Sequence, residues 1–106
     1  MQELDQQILD EIVRRVVEVA WPEKIILFGS AARGEMGPHS DVDLLVVKRD
    51  ADALELMGEI YMNLDGVGAA VDAVVVTPDD VERYRESHAL IIKPALQQGR
   101  VVYESS

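Results

Sequence analysis

The feature that most constrains the fold is an apolar run that opens with two acids, Ser40-Asp41-Val42-Asp43-Leu44-Leu45-Val46-Val47. A nearly continuous apolar run of this kind is typical of a strand that is buried on both faces, in a sheet covered by helices. Because side chains alternate along a strand, Asp41 and Asp43 point to the same side at its beginning. The run therefore predicts a covered sheet with two carboxylates at one edge.

The other elements follow from hydrophobic periodicity and from turn residues. In chain order, the sequence predicts a helix over residues 3–20, a strand over Lys24–Phe28, a turn-rich loop over 29–40, a strand over Asp41–Val47, a helix over Asp50–Leu64, a strand over Ala69–Val76, a helix beginning at Thr77, a helix over Ser87–Gln98 and a short edge strand at Val101–Tyr103. This order favours an α/β fold (α+β in some schemes), with a small mixed β-sheet flanked by helices, as one domain over residues 1–106.

Local signals set the helix ends. Trp21-Pro22 ends the first helix, since the residue before a proline is disfavoured in the helical region, and Thr77 followed by Pro78 suits a helix start. Pro94 predicts a kink or an early break in the last helix, and Gly99 its C-terminal cap. In the third helical segment, the residues predicted to face inward are Leu54, Met57, Ile60, Tyr61 and Leu64.

A third acid, Asp72, is the one charged residue in the apolar strand over Ala69–Val76. Burying it unpaired would cost several kcal/mol, so it should either face solvent at the strand start or bind a metal. If the third strand lies beside the second, Asp72 comes within reach of Asp41 and Asp43. Three carboxylates suit Mg²⁺ or Mn²⁺, and a pair of such ions can clamp the attacking and leaving oxygens of a nucleotidyl transfer.

The Gly-Ser turn before these acids is the candidate phosphate-binding segment. Gly29 allows close backbone approach to a phosphate, Ser30 offers a hydroxyl, and Arg33 could neutralise the leaving pyrophosphate or form a structural salt bridge with Asp41 or Glu35. Ser40 completes the candidate phosphate-binding set, which therefore consists of Gly29, Ser30, Arg33 and Ser40. The segment lacks the Gly-Lys-Ser/Thr of a P-loop.

The composition excludes several other classes. Ten Lys and Arg stand against 20 Asp and Glu, a net charge of −10 that disfavours nucleic acid as the direct substrate. There is no cysteine, no apolar run long enough to cross a bilayer and no secretory signal, so we expect a cytoplasmic protein with no membrane association. His39 and His88 are interpreted as surface histidines rather than metal ligands.

The composite pattern of Gly29-Ser30, ten intervening residues and Asp41-Val42-Asp43 resembles the signature of the polymerase beta-like nucleotidyltransferase superfamily. The fuller string Gly-Ser-Ala-Ala-Arg-Gly through Ser-Asp-Val-Asp-Leu-Leu-Val is similar to its minimal, MNT-type members. The resemblance implies a metal site at Asp41, Asp43 and Asp72, and ATP as the donor. Proteins of this size in the family are often antitoxins of HEPN–MNT pairs, which implies AMP transfer to a tyrosine of a HEPN ribonuclease within an oligomer or hetero-complex.

Two alternatives remain open at this stage. The chain could neutralise a partner by binding alone, in which case the acid triad would have no role. It could instead modify a small hydroxylated molecule such as an aminoglycoside. Larger relatives carry a helical domain that forms the far wall of the acceptor site, and this sequence has no residues left for one, so we expect a small acceptor or a protein that brings its own wall.

Overall fold

The computed structural model describes residues 5–34, 41–86 and 92–105. These residues form, in order, α1 (Gln6–Ala20), β1 (Lys24–Phe28), α2 (Gly29–Ala32), β2 (Val42–Val47), α3 (Ala53–Asn63), β3 (Val71–Val76), α4 (Pro78–Tyr84), α5 (Ile92–Gln98) and β4 (Arg100–Glu104). In this part of the chain, no helix has both the length and the apolar character needed to span a bilayer.

The four strands form one sheet in the order β3-β2-β1-β4. Strand β2 pairs with β3 in parallel and with β1 antiparallel, and β4 pairs antiparallel with β1 as the predicted edge strand. The parallel pair requires a crossover, which α3 supplies between β2 and β3. The predicted small mixed sheet with flanking helices is confirmed.

Helices cover both faces of the sheet, as the apolar run of β2 predicted. On one face, α1 and α3 pack against alternate strand residues such as Leu44 and Val46. On the other, α4 and α5 pack against Leu45 and Val47. Because side chains alternate along a strand, the side chain of Asp43 points to this second face, with those of Leu45 and Val47. The central strand is therefore buried on both sides, and its first residues alone reach a polar edge.

Several element boundaries differ from the predicted ones because local caps decide them. Asp5 is the N-cap of α1, since its side chain accepts a hydrogen bond from the Gln7 N–H at 2.8 Å. Helix α1 ends at Ala20, with Trp21 as its C-cap, as predicted. Asp52 caps α3, so this helix begins at Ala53 rather than Asp50. Thr77 forms a capping box with Asp80 at the start of α4.

One prediction about a helix was wrong. Leu54 does not face inward, because it is 83% exposed on the outer side of α3. The described part of α5 runs from Ile92 to Gln98 and includes Pro94, and the kink or early break expected there stays a prediction. The part of the predicted helix over residues 87–91 lies outside the described residues. The predicted loop after β1 begins as the short helix α2.

The sheet strands also start later than predicted. Strand β2 begins at Val42, which leaves Asp41 one residue before it, and β3 begins at Val71 rather than Ala69. The predicted pattern of apolar residues is nonetheless preserved.

Gly99 offers a test of the packing between α5 and β1. Its N–H donates to the Ala95 carbonyl at 2.9 Å, and an added Cβ would collide with that carbonyl and lie 2.7 Å from both the Leu27 carbonyl oxygen and Ile26 Cγ2. We expect Gly99→Ala to lower the free energy of unfolding by about 1–3 kcal/mol, measured by urea denaturation. The control is Gly58→Ala, where an added Cβ has nothing within 4 Å; it should be neutral or stabilise α3 by up to ~1 kcal/mol. Equal effects of the two substitutions would contradict this packing.

Candidate active site

The parallel pairing of β2 with β3 brings two of the predicted acids together. Asp43 and Asp72 are register partners, and neighbouring strands lie about 4.8 Å apart, so their side chains leave the sheet side by side on the same face. The charge of Asp41, just before β2, also acts on the Asp43 carboxyl. The strand pairing therefore places Asp43 beside Asp72, with Asp41 one residue before β2.

Gly29 lies directly against this acid group. It follows Phe28, the β1 residue that pairs with Asp43, and has a positive φ of 73°. An added Cβ would collide with Asp43 Oδ2 and lie 3.2 Å from Asp43 Cγ. Glycine is therefore required here both for its backbone conformation and for its closeness to the carboxylate.

The other phosphate-binding candidates lie near Gly29 or outside the described residues. Ser30 is the next residue of α2 and is half-buried. Arg33 is exposed at the end of α2, and its positive charge acts on Asp43. Ser40 lies outside the described residues, as do Glu35, His39 and His88.

The site concentrates negative charge that is only partly balanced. Burial raises the pKa of the Asp43 carboxyl, and the neighbouring Asp72 and Asp41 raise it further, while Arg33 acts in the opposite direction. Because burial and like charges both disfavour the ionised form, a cation bound among these carboxylates would relieve both effects.

The donor set fits a hard divalent cation. Asp41, Asp43 and Asp72 offer only carboxylate oxygens, the ligands that Mg²⁺ and Mn²⁺ prefer. Within residues 5–34, 41–86 and 92–105, no three acidic or histidine side chains already converge as a preformed metal cage. Like charges repel, so we expect these three side chains to draw closer only when a cation is bound.

Tyr61 is a site residue that the sequence interpretation missed. We predicted it to face the core from α3, but it is 41% exposed. Its hydroxyl accepts a hydrogen bond from the Ala73 N–H at 3.0 Å and donates one to Asp72 Oδ1 at 3.2 Å. Burial, followed by the interaction with Asp72, raises the pKa of Tyr61 and keeps the phenol protonated. Helical periodicity gave no signal of this role, since it treats tyrosine as an apolar residue.

The same hydroxyl occupies one hydrogen-bonding position on the open edge of the sheet, at Ala73. The Ala70 and Val76 carbonyls both bond to β2 residues, so by alternation the N–H and C=O of Ala73 point away from β2. Strand β3 is the last in the sheet, and there Tyr61 supplies the partner that a further strand would otherwise provide. Tyr61 therefore fixes both the edge backbone and the orientation of Asp72.

The chain matches the model of a known protein family over most of its length. The family model described as "Polymerase beta, Nucleotidyltransferase" matches residues 8–106. Among curated proteins, bifunctional uridylyltransferase/uridylyl-removing enzymes of Burkholderia mallei and Burkholderia pseudomallei are 32% identical over 85 residues, or 77% of this chain. The chain spans only 10% of the length of these relatives.

Solved structures show the same fold. A Sulfolobus solfataricus structure assigned as a nucleotidyltransferase is 22% identical, with a TM-score of 0.62 over 92% of this chain and 78% of that one. A mutant toxin–antitoxin MntA-HpeT structure is 17% identical, with a TM-score of 0.65 over 97% of this chain and 76% of that one. A toxin–antitoxin structure with AMP-PNP is 22% identical, with a TM-score of 0.56 over the same shares, 97% and 76%.

Removing the Tyr61 hydroxyl tests its role at the site. We expect Tyr61→Phe to lower the free energy of unfolding by about 1 kcal/mol, because the Ala73 N–H loses its partner, and to lower nucleotidyl transfer by about tenfold as Asp72 loses its orienting bond. Urea denaturation and a transfer assay measure the two effects. The control is Tyr103→Phe, which removes a hydroxyl from β4 at the opposite edge of the sheet. An unchanged transfer rate in Tyr61→Phe would contradict the orienting role.

The raised pKa of Asp43 predicts a pH dependence of stability. A carboxyl with a higher pKa in the folded state binds its proton more tightly there, so its ionisation lowers stability as pH rises from the unfolded value of about 3.9. In the presence of a chelator, Asp43→Asn should therefore raise the urea concentration at the unfolding midpoint at pH 7. This increase in the midpoint should shrink towards pH 4. Glu18→Gln, at an exposed residue of α1, is the control and should change stability by no more than a few tenths of a kcal/mol. A lower midpoint for Asp43→Asn at pH 7 would contradict the raised pKa.

Proposed function

Because the chain belongs to the polymerase beta nucleotidyltransferase family, we propose that it is a divalent-metal-dependent enzyme that transfers AMP from ATP to a tyrosine of a HEPN-type toxin. It would act as the antitoxin of that partner. The observation that carries the proposal is the pairing of Asp43 with Asp72, with Gly29 packed against Asp43. A binding module would gain nothing from carboxylates placed so that they repel one another.

The chemistry assigned to the site is a single displacement at phosphorus. The acceptor tyrosine oxygen forms a bond to the α-phosphorus of ATP, the bond from that phosphorus to the oxygen bridging to the β-phosphate breaks, and pyrophosphate leaves. Asp72 is placed to take the phenolic proton or to favour its loss. Bound Mg²⁺ would supply Lewis-acid stabilisation of the triphosphate, held by Asp41, Asp43 and Asp72.

The remaining residues act on the donor side. Gly29 has no side chain to collide with Asp43, and its bare backbone allows the close approach of a phosphate. Ser30 offers a hydroxyl from the start of α2, and Arg33 a positive charge at its end. We assign Ser40 the same phosphate-binding role on the strength of its position before Asp41 alone.

A protein acceptor fits the openness of the site. Asp41 and Asp72 are both exposed, so a large partner can reach the acid group. Two of the solved structures with this fold are toxin–antitoxin complexes, one of them with the ATP analogue AMP-PNP. The other exchanges two aspartates for glutamates at positions two residues apart, the same spacing as Asp41 and Asp43.

A second candidate for the nucleotide donor is UTP. The curated relatives that match most of this chain are named uridylyltransferases. UTP is therefore assayed beside ATP, and transfer of UMP in place of AMP would overturn the assignment of ATP as the donor while leaving nucleotidyl transfer intact.

The decisive experiment is a transfer assay with the full chain. Incubation with ATP, Mg²⁺ and a cognate HEPN-type toxin should add the mass of AMP to a toxin tyrosine, detected by mass spectrometry. The double variant Asp41→Asn/Asp43→Asn should lose on the order of 10³-fold or more of this activity, since it removes two of the three proposed metal ligands. EDTA should abolish transfer by the unaltered protein.

A matched control separates lost ligands from a changed net charge. Glu18→Gln/Glu104→Gln removes two negative charges from exposed ion pairs on α1 and β4 and should transfer normally. Persistent AMP transfer by the double aspartate variant would refute the mechanism. Full neutralisation of the toxin by that variant at equimolar dose would instead support inhibition by binding alone.

A further inference from the structure

Helix α3 carries an exposed apolar row that the fold leaves uncovered. Leu54, Gly58 and Met62 are spaced four residues apart, so they lie above one another on one side of the helix. Leu54 is 83% and Met62 82% exposed, and Gly58 is exposed between them. We call this row the α3 face. Its composition is the reverse of what a solvated helix surface normally shows.

The shape of the α3 face suits another helix. A Cβ built at Gly58 has nothing within 4 Å, so this position is a notch between two large side chains. Helices pack by placing the side chains of one into the gaps of the other. A large apolar side chain of a partner would fit over Gly58, with Leu54 and Met62 on either side.

The charged residues of α3 and of its N-cap are all acidic: Asp52 caps the helix, and Glu55 and Glu59 lie along it. Two cations lie nearby, and each is already bound. Arg15 of α1 bonds to the Asp65 carbonyl at 2.9 Å, and Lys48, which lines a cavity with Glu55 and Glu59, donates to the Trp21 carbonyl at 3.0 Å. An apolar row with an acidic border is complementary to an apolar stripe bordered by lysine and arginine.

The α3 face is continuous with the candidate active site. Tyr61 lies on the same helix, one residue before Met62, and its hydroxyl bonds to Asp72 Oδ1. A chain that covers Met62 therefore passes beside the edge of β3, where Asp72 is exposed.

We propose that the α3 face docks the acceptor protein through an amphipathic helix whose apolar stripe is bordered by Lys and Arg. Docking there brings an acceptor hydroxyl to the β3 edge of the sheet, where the Tyr61 hydroxyl reaches Asp72 Oδ1. The inference rests on the proposed function for the identity of what is transferred, but the binding surface itself is tested without any transfer.

The probe is a fluorescent 21-residue helical peptide with a leucine stripe, lysine and arginine borders and one tyrosine. Its twin carries glutamate in place of the basic residues. Anisotropy titrations with the full chain should show that the basic peptide binds at least tenfold more tightly than its twin. Leu54→Glu/Met62→Glu should weaken that binding by at least tenfold while circular dichroism shows an unchanged fold.

The matched control places the same two charges on exposed residues away from α3. Gln98→Glu/Val101→Glu alters exposed side chains at the end of α5 and on β4 and should change the affinity for the basic peptide by less than twofold. Equal weakening by both double variants would overturn the proposal, since attraction would then follow net charge alone. Absence of saturable binding would also overturn it. So would sedimentation in which the unaltered chain is a dimer and Leu54→Glu/Met62→Glu a monomer, since a second copy would then cover the α3 face.

The two proposals fail in different ways. Asp41→Asn/Asp43→Asn should still bind the peptide, so intact binding without AMP transfer in the unaltered protein would refute the proposed function alone. Normal AMP transfer to the toxin by Leu54→Glu/Met62→Glu would refute docking at the α3 face alone.

Discussion

The pairing of β2 with β3 in parallel is the constraint on which the candidate site depends. It sets Asp43 beside Asp72, and no antiparallel hairpin of the same strands would do so, because the two acids are near the beginning of each strand. The parallel direction in turn needs a crossover. Helix α3 provides it, covers one face of the sheet and carries Tyr61 to the open edge of β3. A single topological choice therefore fixes the acids, the residue that orients one of them and the exposed helix face next to them.

The second determinant is a group of locally unfavourable features that lie next to a well-packed core. Strand β2 is buried from Val42 to Val47 apart from Asp43, which is half-buried and whose pKa is raised by burial and by neighbouring carboxylates. Gly29 adds a positive φ and contact with the same side chain. Unfavourable features of this kind cluster at functional sites, where the surrounding structure enforces them. Here the buried apolar residues of β2 fix the position of the strand, and the strand holds Asp43 in a half-buried position that is unfavourable for a carboxylate.

The sequence predicted much of this arrangement, and the failures have identifiable causes. The strands, their acids and Gly29 were visible because apolar runs and glycine carry strong local signals. The observed helix starts after Asp5 and Asp52 differ from the predicted ones, because a side-chain cap within one turn decides where a helix begins. Leu54 was assigned to the core because periodicity reports which residues are apolar and not which of them the fold covers. Tyr61 was missed because its bond to Asp72 joins residues whose contact depends on how α3 packs against β3.

By itself, the sequence determined the class of fold and the candidates for the site, since both depend on residue type and short-range spacing. Alternation along a strand placed Asp41 and Asp43 on one side, and the apolar runs required a covered sheet. Only the tertiary structure decided that β3 lies beside β2, that Gly29 touches Asp43 and that Tyr61 reaches Asp72. It also decided that the row of Leu54, Gly58 and Met62 stays uncovered. Strand order and helix rotation result from packing between distant segments, and no local pattern in the chain encodes them.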